Sequence, residues 1–218
     1  QIIAGSEYRQ GYNAAMAAAL KQVVDVPVMV VGRSGNPQFA EQLVREERAD
    51  MVAIGRALFT DPALPNKAKA GRLAEIRPCN SCEDCVDTIG KGTGSFCAVN
   101  PLSGRENILQ FSTPKQKQNI LVIGGGPAGM EAARTAAEQG HTVTLCEKSA
   151  QLGGRLTLAA NTHREQRAFL EYLRAEMQRL PINIHLNTNV TPDFVCGQQP
   201  DTVIVATGAA LAPAAFNI

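Results

Sequence analysis

Four cysteines occupy one segment near the middle of the chain, in the run PCNSCEDCVDTIGKGTGSFCAVNP. Cys79, Cys82 and Cys85 are each separated by two residues, and Cys97 follows after a stretch with three glycines. Closely spaced thiolates can bind one part of an iron-sulfur cubane, and a more distant cysteine then completes the ligand set. The pattern therefore predicts a 4Fe-4S cluster held by all four cysteines.

Structural zinc is the main alternative for this segment, although zinc sites more often consist of two separated ligand pairs. Disulfide bonds are less favoured by the same spacing. The other two cysteines, Cys146 and Cys196, lie in or near apolar runs without ligands at a suitable spacing, and we expect both to be buried and inert. Four reduced thiols in one site favour a cytoplasmic location, where disulfides are rare.

Two glycine-arginine pairs precede the cysteine segment, and each follows a strand-like apolar run. Gly32-Arg33 ends the run VPVMVV, and Gly55-Arg56 ends the run DMVAI. In a (β/α)8 barrel, the loops after the last two strands commonly bind a phosphate through backbone amides and a cationic side chain. Either pair alone reads as a strand end followed by a solvated arginine, but two in succession predict a phosphate site.

A further glycine motif, GGGPAG, follows a short apolar strand and begins a helix, which is the context that a dinucleotide-binding fingerprint requires. Gly124 permits the turn, Gly126 the approach of a pyrophosphate, and Gly129 close helix packing. Glu147 ends the next strand, where a carboxylate can accept hydrogen bonds from ribose hydroxyls and disfavours a 2′-phosphate. We therefore expect FAD or an unphosphorylated dinucleotide as the ligand.

Five neighbouring residues are assigned to the same nucleotide site. Pro127 and Ala128 lie within the motif, Lys148 follows the strand-end acid, and the loop QLGGR adds Gly154 and Arg155. Small residues in such loops let the chain pass close to a bound cofactor.

These residues require α/β elements to position them. The expected helices span residues 8–21, 37–48 with Asn36 as cap, 127–139 and 164–180, with a short lysine-rich helix before the cysteines. The expected strands span residues 26–31, 50–54, 120–123, 142–146 and 201–208. The continuous apolar run VPVMVV is typical of a parallel strand buried on both faces. A stripe in the 164–180 helix is predicted to face the core: Phe169, Leu170, Leu173, Met177 and Leu180.

Composition excludes several function classes. The 218 residues carry 21 basic and 20 acidic side chains, so there is no electrostatic footprint for nucleic acid. The longest apolar stretches are strand-sized, so no membrane span is predicted. The expected partner is a small-molecule substrate.

In this order the motifs resemble the iron-sulfur flavoproteins of the old yellow enzyme group, which includes bacterial 2,4-dienoyl-CoA reductase and the trimethylamine dehydrogenase class. The resemblance covers essentially the whole chain, and the cysteine and GGGPAG motifs are its most specific parts. It implies an FMN-binding barrel, a 4Fe-4S cluster and an FAD/NAD(P) module. By motif position, it assigns the glycine-arginine pairs to the FMN phosphate, the four cysteines to the cluster, and the later glycines with Glu147 to FAD.

The resemblance also implies domain boundaries. Residues 1–76 would be the end of a (β/α)8 barrel, 77–111 the cluster segment, 112–118 a linker, and 119–218 the first part of a Rossmann-like FAD/NAD(P) domain. A closed barrel needs about 250 residues and eight strands, whereas two strands precede the cysteines. We therefore expect an internal fragment whose barrel strands expose unpaired edges and apolar faces. No catalytic proton donor is assigned.

The function implied by the resemblance is an electron relay. NAD(P)H would reduce FAD, single electrons would pass through the cluster to FMN, and FMN would reduce an activated C=C bond such as that of an enoyl or dienoyl thioester. The fragment alone is expected to be inactive. Two alternatives stay open: an amine dehydrogenase that exports electrons to a carrier protein, and a non-catalytic electron-transfer module.

Overall fold

A computed structural model describes residues 3–109, 114 and 116–209. The chain divides into two compact units, the first formed by residues 1–110 and 163–172, the second by residues 111–162 and 173–218. Each unit contains a parallel sheet. The chain is therefore an α/β protein with parallel sheets, as the sequence predicts.

Helices and strands alternate along most of the described residues. The helices are α1 (Ala14–Lys21), α2 (Pro37–Arg45), α3 (Arg56–Thr60), α4 (Leu64–Lys69), α5 (Asp84–Gly90), α6 (Pro127–Glu138), α7 (Leu156–Thr162), α8 (Arg164–Arg179) and α9 (Pro192–Gln198), with a 3-10 turn at Leu73–Glu75. The strands are β1 (Met29–Val30), β2 (Met51–Val52), β3 (Asn119–Ile123), β4 (Thr142–Cys146), β5 (Ile182–His185) and β6 (Thr202–Val205).

The first unit is built around the pair β1–β2, in register Met29 to Met51. Helix α2 is capped as predicted, because the Asn36 side chain accepts a hydrogen bond from the Phe39 amide at 3.1 Å. The buried core of this unit is small and aliphatic, consisting of Ala14, Ala17, Val28, Val30, Leu43 and Ala49.

The VPVMVV run is buried on one face only. Val28 and Val30 are buried, whereas Val26, Met29 and Val31 are each more than half exposed. The prediction of a strand buried on both faces was wrong, because successive side chains of a strand point to opposite faces and one face here has no cover from the described residues. The expectation that these strands expose an apolar face is confirmed.

Two helices of the first unit are shorter than predicted. Helix α1 begins at Ala14 rather than at residue 8, after a turn in which Gly11 has a φ of 64°. Helix α2 ends at Arg45 rather than at residue 48, and Glu47 then enters the left-handed region at φ 55°.

The second unit contains a four-stranded parallel sheet in the order β5-β4-β3-β6. Helix α6 follows the central strand β3, and Met130 and Ala133 on that helix are fully buried. Strand β5 and helices α7 and α9 were not predicted from the sequence. Of the predicted stripe on α8, four residues are buried, Phe169, Leu170, Leu173 and Met177, and Leu180 is half-buried.

Outside the cysteine segment, burial was predicted for two isolated thiols, and one of them is buried. Cys146 is buried in β4, but Cys196 is exposed on α9, so its predicted burial was wrong. The short helix α9 has no buried residue, which explains the exposure. Among the described residues, no helix combines the length and apolar character needed to cross a bilayer.

Candidate cofactor sites

A cavity of about 520 Å³ lies in the first unit, where β1 and β2 end. Its lining includes both glycine-arginine pairs, Gly32-Arg33 and Gly55-Arg56, and also Cys79. The structure thus brings the predicted phosphate ligands together with one predicted cluster ligand.

Arg33 is held firmly at the wall of this cavity. Its backbone lies in the left-handed region at φ 51°, which is unusual for a residue with a side chain. Nη1 donates to the carbonyl oxygens of Ser6, at 3.2 Å, and Tyr8, and Nη2 forms an ion pair with Glu165. Nε is buried and has no hydrogen-bond partner in the part of the chain that the structure describes.

Arg56 presents a second incompletely bonded guanidinium. It is the first residue of α3, and its Nη2 donates to the Ala4 carbonyl oxygen at 2.5 Å. Its Nη1 is buried without a hydrogen-bond partner among the described residues. Buried donors without partners are costly and rare. Two arginines in the lining of one cavity fit an anion that offers several oxygen acceptors, such as a phosphate monoester.

The four cysteines of the central segment are all free thiols. Cys79 lies before α5, Cys85 lies within it, and the Cys79 sulfur accepts a hydrogen bond from the Ser81 amide at 3.4 Å. Burial raises the pKa of the Cys82 and Cys85 thiols, and the charges of neighbouring cysteines raise it further. A bound cationic centre would relieve this repulsion, so an all-thiolate donor set of this kind fits a metal cluster.

The cysteines do not form a compact ion-binding group in this structure. Within the described residues, no three Cys, His, Asp or Glu side chains are close enough together to hold one metal ion. Part of the connection between Cys85 and Cys97 is helical, because Cys85 lies on the unpredicted helix α5. The predicted tight glycine turn is therefore limited to the end of that connection, where Gly92 and Gly94 have φ of 68° and 101°.

Buried polar contacts hold the cysteine segment against α3. Thr60 places its Oγ1 3.7 Å from the Cys97 sulfur, and the Asn100 amide nitrogen donates to the Thr60 carbonyl oxygen at 3.0 Å. Arg77, two residues before the first cysteine, donates to the Val99 carbonyl oxygen, two residues after the last. Arg77 and Asn100 were not recognised from sequence, because neither belongs to a spacing motif.

In the second unit, the glycines of the GGGPAG motif lie between β3 and α6. Gly124 has a φ of 108°, and a Cβ there would lie 2.4 Å from the Ala206 carbonyl oxygen. A Cβ on Gly129 would lie 1.8 Å from the Gly124 carbonyl oxygen, so the helix packs as closely as predicted. By contrast, a Cβ on Gly126 would meet nothing within 4 Å. Gly126 therefore leaves open space where the fingerprint expects a pyrophosphate.

Glu147 is buried beside this motif and is bound by backbone amides. Oε2 accepts from the Gly125 amide at 2.6 Å, and Oε1 accepts from the Ser149 amide at 2.8 Å. Burial raises the pKa of Glu147, but these hydrogen bonds lower it by more, so the net pKa lies below its ordinary value. Each carboxylate oxygen keeps a second lone pair, so hydrogen bonds from a ribose stay possible.

The remaining predicted nucleotide ligands surround this position. Pro127 is the first residue of α6, and a Cβ on Gly154 would lie 3.0 Å from the Gly126 Cα atom, so the two glycine loops meet. Ala128, Lys148 and Arg155 are exposed. Nucleotide binding by these residues stays a prediction.

Comparison with known proteins identifies two family profiles in the chain. Residues 4–75 match the NADH:flavin oxidoreductase / NADH oxidase family, and residues 119–180 match the FAD dependent oxidoreductases. An NADH oxidase of Thermoanaerobacter brockii is 40% identical over 214 residues, which are 95% of this chain and 33% of that protein. An N,N-dimethylglycine/sarcosine dehydrogenase of Chromohalobacter salexigens is 36% identical over 201 residues, 88% of this chain and 29% of that protein.

A solved structure has a similar fold. The 2-naphthoyl-CoA reductase in complex with 2-naphthoyl-CoA superposes with a TM-score of 0.92 at 31% identity, over 97% of this chain and 33% of that one. The chain thus spans about a third of the length of the relatives that it matches.

Proposed function

Since the chain belongs to the flavin oxidoreductases of the old yellow enzyme group, we propose that it takes part in NAD(P)H-dependent reduction of an activated C=C bond, such as that of an enoyl or dienoyl thioester. When bound, FAD, a 4Fe-4S cluster and FMN would supply the conversion between hydride pairs and single electrons. The residues of this chain bind these groups and fix their positions.

The observation that carries this proposal is the cavity lined by Arg33, Arg56 and Cys79, because two arginines beside one cavity attract an anion. We assign the phosphate of FMN to these two arginines, with Gly32 and Gly55 allowing close approach. Because Cys79 shares the cavity, this FMN would lie beside the first ligand of the cluster, which suits single-electron exchange between the two. Cys82, Cys85 and Cys97 complete the cluster ligands.

The second unit would bind FAD. The parallel sheet with its glycine fingerprint after β3 supports this proposal, since a doubly wound dinucleotide-binding fold has its fingerprint after its first strand. Gly124, Gly126 and Gly154 would admit the pyrophosphate, and Glu147 would bind the ribose. Because all six cysteines are free, we also propose a reducing, cytoplasmic location.

The test is an anaerobic NAD(P)H titration of the natural full-length protein and of two variants. Cys82→Ser removes a proposed cluster ligand, and Cys196→Ser removes an exposed thiol outside the set as the matched control. We expect bleaching of both flavins in the wild type and in Cys196→Ser, and bleaching of FAD alone in Cys82→Ser. Unchanged FMN reduction in Cys82→Ser, or bound zinc in place of iron and sulfide, would reject the proposal.

An amine dehydrogenase is the second candidate, favoured by the 36% identity to the dimethylglycine/sarcosine dehydrogenase. In that case an amine substrate, rather than NAD(P)H, would reduce the FMN, and the cluster would export electrons to a carrier protein. Bleaching of the flavins by a secondary or tertiary methylamine, without response to NAD(P)H, would identify this activity.

A further inference from the structure

Helix α8 contributes an acidic side chain to the cavity of the first unit. Glu165, in the first turn of the helix, lines the cavity together with Arg164 and Ala168. Its carboxylate forms an ion pair with Arg33 Nη2, and the two side chains are only 19% and 6% exposed. An acidic group on an anion-binding cavity requires an explanation, because it opposes the charge that attracts the ligand.

The hydrogen bonds of Arg33 supply that explanation. A guanidinium has one donor on Nε and two on each terminal nitrogen, in a fixed plane. Here Nη1 is bonded to the Ser6 and Tyr8 carbonyl oxygens, and Nη2 is bonded to Glu165. With both ends held, the plane of the guanidinium is fixed, and Nε is buried without a hydrogen-bond partner among the described residues.

We propose that Glu165 is a positioning residue for the phosphate site: it holds Arg33 by Nη2, so that the guanidinium stays in the cavity lining, where the flavin phosphate would bind. This inference rests on the proposed FMN site. Without Glu165, a buried arginine would lose its counter-ion and would reorient to recover acceptors. The hydrogen bond from Arg33 also lowers the pKa of Glu165, against the opposing effect of burial, so the carboxylate is charged and the ion pair persists at neutral pH.

The test compares FMN with riboflavin, which lacks the phosphate, by flavin fluorescence titration of the deflavinated full-length protein. The dissociation constant of riboflavin divided by that of FMN is the ratio that measures the contribution of the phosphate alone. We expect Glu165→Ala to lower this ratio about tenfold, as for the loss of one charge-assisted hydrogen bond. Glu165→Gln keeps an acceptor for Nη2 and should recover part of the ratio. Glu171→Ala, which removes an exposed acid from the same helix, is the control.

A double-mutant cycle separates positioning from general damage. In an Arg33→Met background, Glu165→Ala should have no further effect on the ratio, because its target is gone. An unchanged or increased ratio in Glu165→Ala, or equal weakening of FMN and riboflavin, would overturn the inference. A wild-type ratio near one would reject the phosphate site itself, and with it this role for Glu165.

Discussion

Arg56 gives the most direct check on the anion site, because it lines the cavity, its Nη2 is fixed to the Ala4 carbonyl oxygen, and its Nη1 has no hydrogen-bond partner in the described part of the chain. We expect Arg56→Met to weaken FMN binding about tenfold or more and to leave riboflavin binding nearly unchanged, since charge-assisted hydrogen bonds to phosphate are strong. Titration of flavin fluorescence measures both constants. Arg48→Met, at a 43% exposed side chain outside the cavity lining, is the control. Equal affinity of Arg56→Met and wild type for FMN would contradict the assignment.

Glu147 makes a pH-dependent contribution to stability. Its folded-state pKa lies below the ordinary value of 4.5, so above that pH the carboxylate is charged in both states and its hydrogen bonds stabilise the fold fully. As the pH falls below about 4.5, the unfolded chain takes up the proton first, so this stabilisation decreases. The loss is complete once the pH lies below the folded-state pKa.

Replacement of Glu147 should therefore have a cost that depends on pH. We expect Glu147→Gln to lower the free energy of unfolding by about 1–3 kcal/mol at pH 7, because an amide NH₂ would face a backbone amide. The difference from wild type should shrink as the pH falls below 4.5. Urea unfolding followed by circular dichroism measures this, with Glu171→Gln as the control. A difference that stays constant from pH 7 to pH 3.5 would show that the ionised carboxylate is not responsible.

At the scale of elements, two glycines of the β3–α6 turn have different roles. One allows close packing of the helix, and the other leaves room for a ligand. A Cβ on Gly129 would overlap the Gly124 carbonyl oxygen, whereas a Cβ on Gly126 would project into open space. We expect Gly129→Ala to cost about 1–3 kcal/mol of stability through overpacking. Gly126→Ala should cost about 1 kcal/mol or less but should abolish tight FAD binding. Thermal unfolding and FAD retention measure the two effects, and loss of FAD without loss of stability in Gly129→Ala would reverse these roles.

Helices and strands that are marked by neighbouring residues in the sequence were predicted well. The strands around the GGGPAG motif and the Asn36 cap lie where expected, because a glycine turn or a capping side chain acts within a few residues. Strand β5 was missed because the run INIH is only four residues long, although its alternation of apolar and polar side chains is typical of a strand. Helix α5 was missed because the glycines that follow it suggested a loop.

Burial and long-range pairs could not be predicted in the same way. The VPVMVV run has the composition of a strand with two covered faces, but burial depends on what packs against each face, and composition does not contain that information. Likewise Arg33 and Glu165 are 132 residues apart in sequence. Their ion pair depends on how α8 packs in the first unit, so no spacing rule would have linked them.

At the scale of the whole molecule, the first unit has a broad apolar surface. Met16, Leu20, Val23, Val26, Met29 and Val31 are each at least half exposed. Scattered exposed apolar residues are normal, whereas exposed apolar residues that are concentrated in one region favour association. Five of these six residues follow one another along α1, the connection to β1 and β1 itself, and the sixth comes directly after β1, so the exposure belongs to one part of the fold.

We therefore expect the 218-residue chain, expressed by itself, to bind the dye ANS and to self-associate at micromolar concentration. The double variant Val23→Lys/Val26→Lys should reduce both effects, because these side chains are 77% and 67% exposed and a lysine there needs no burial. Leu158→Lys, at a 61% exposed leucine of the second unit, adds one such charge elsewhere and should leave both effects in place. Light scattering and ANS fluorescence measure the outcome. A monomeric wild-type chain without ANS binding would show that this surface is covered in solution by contacts within the chain itself.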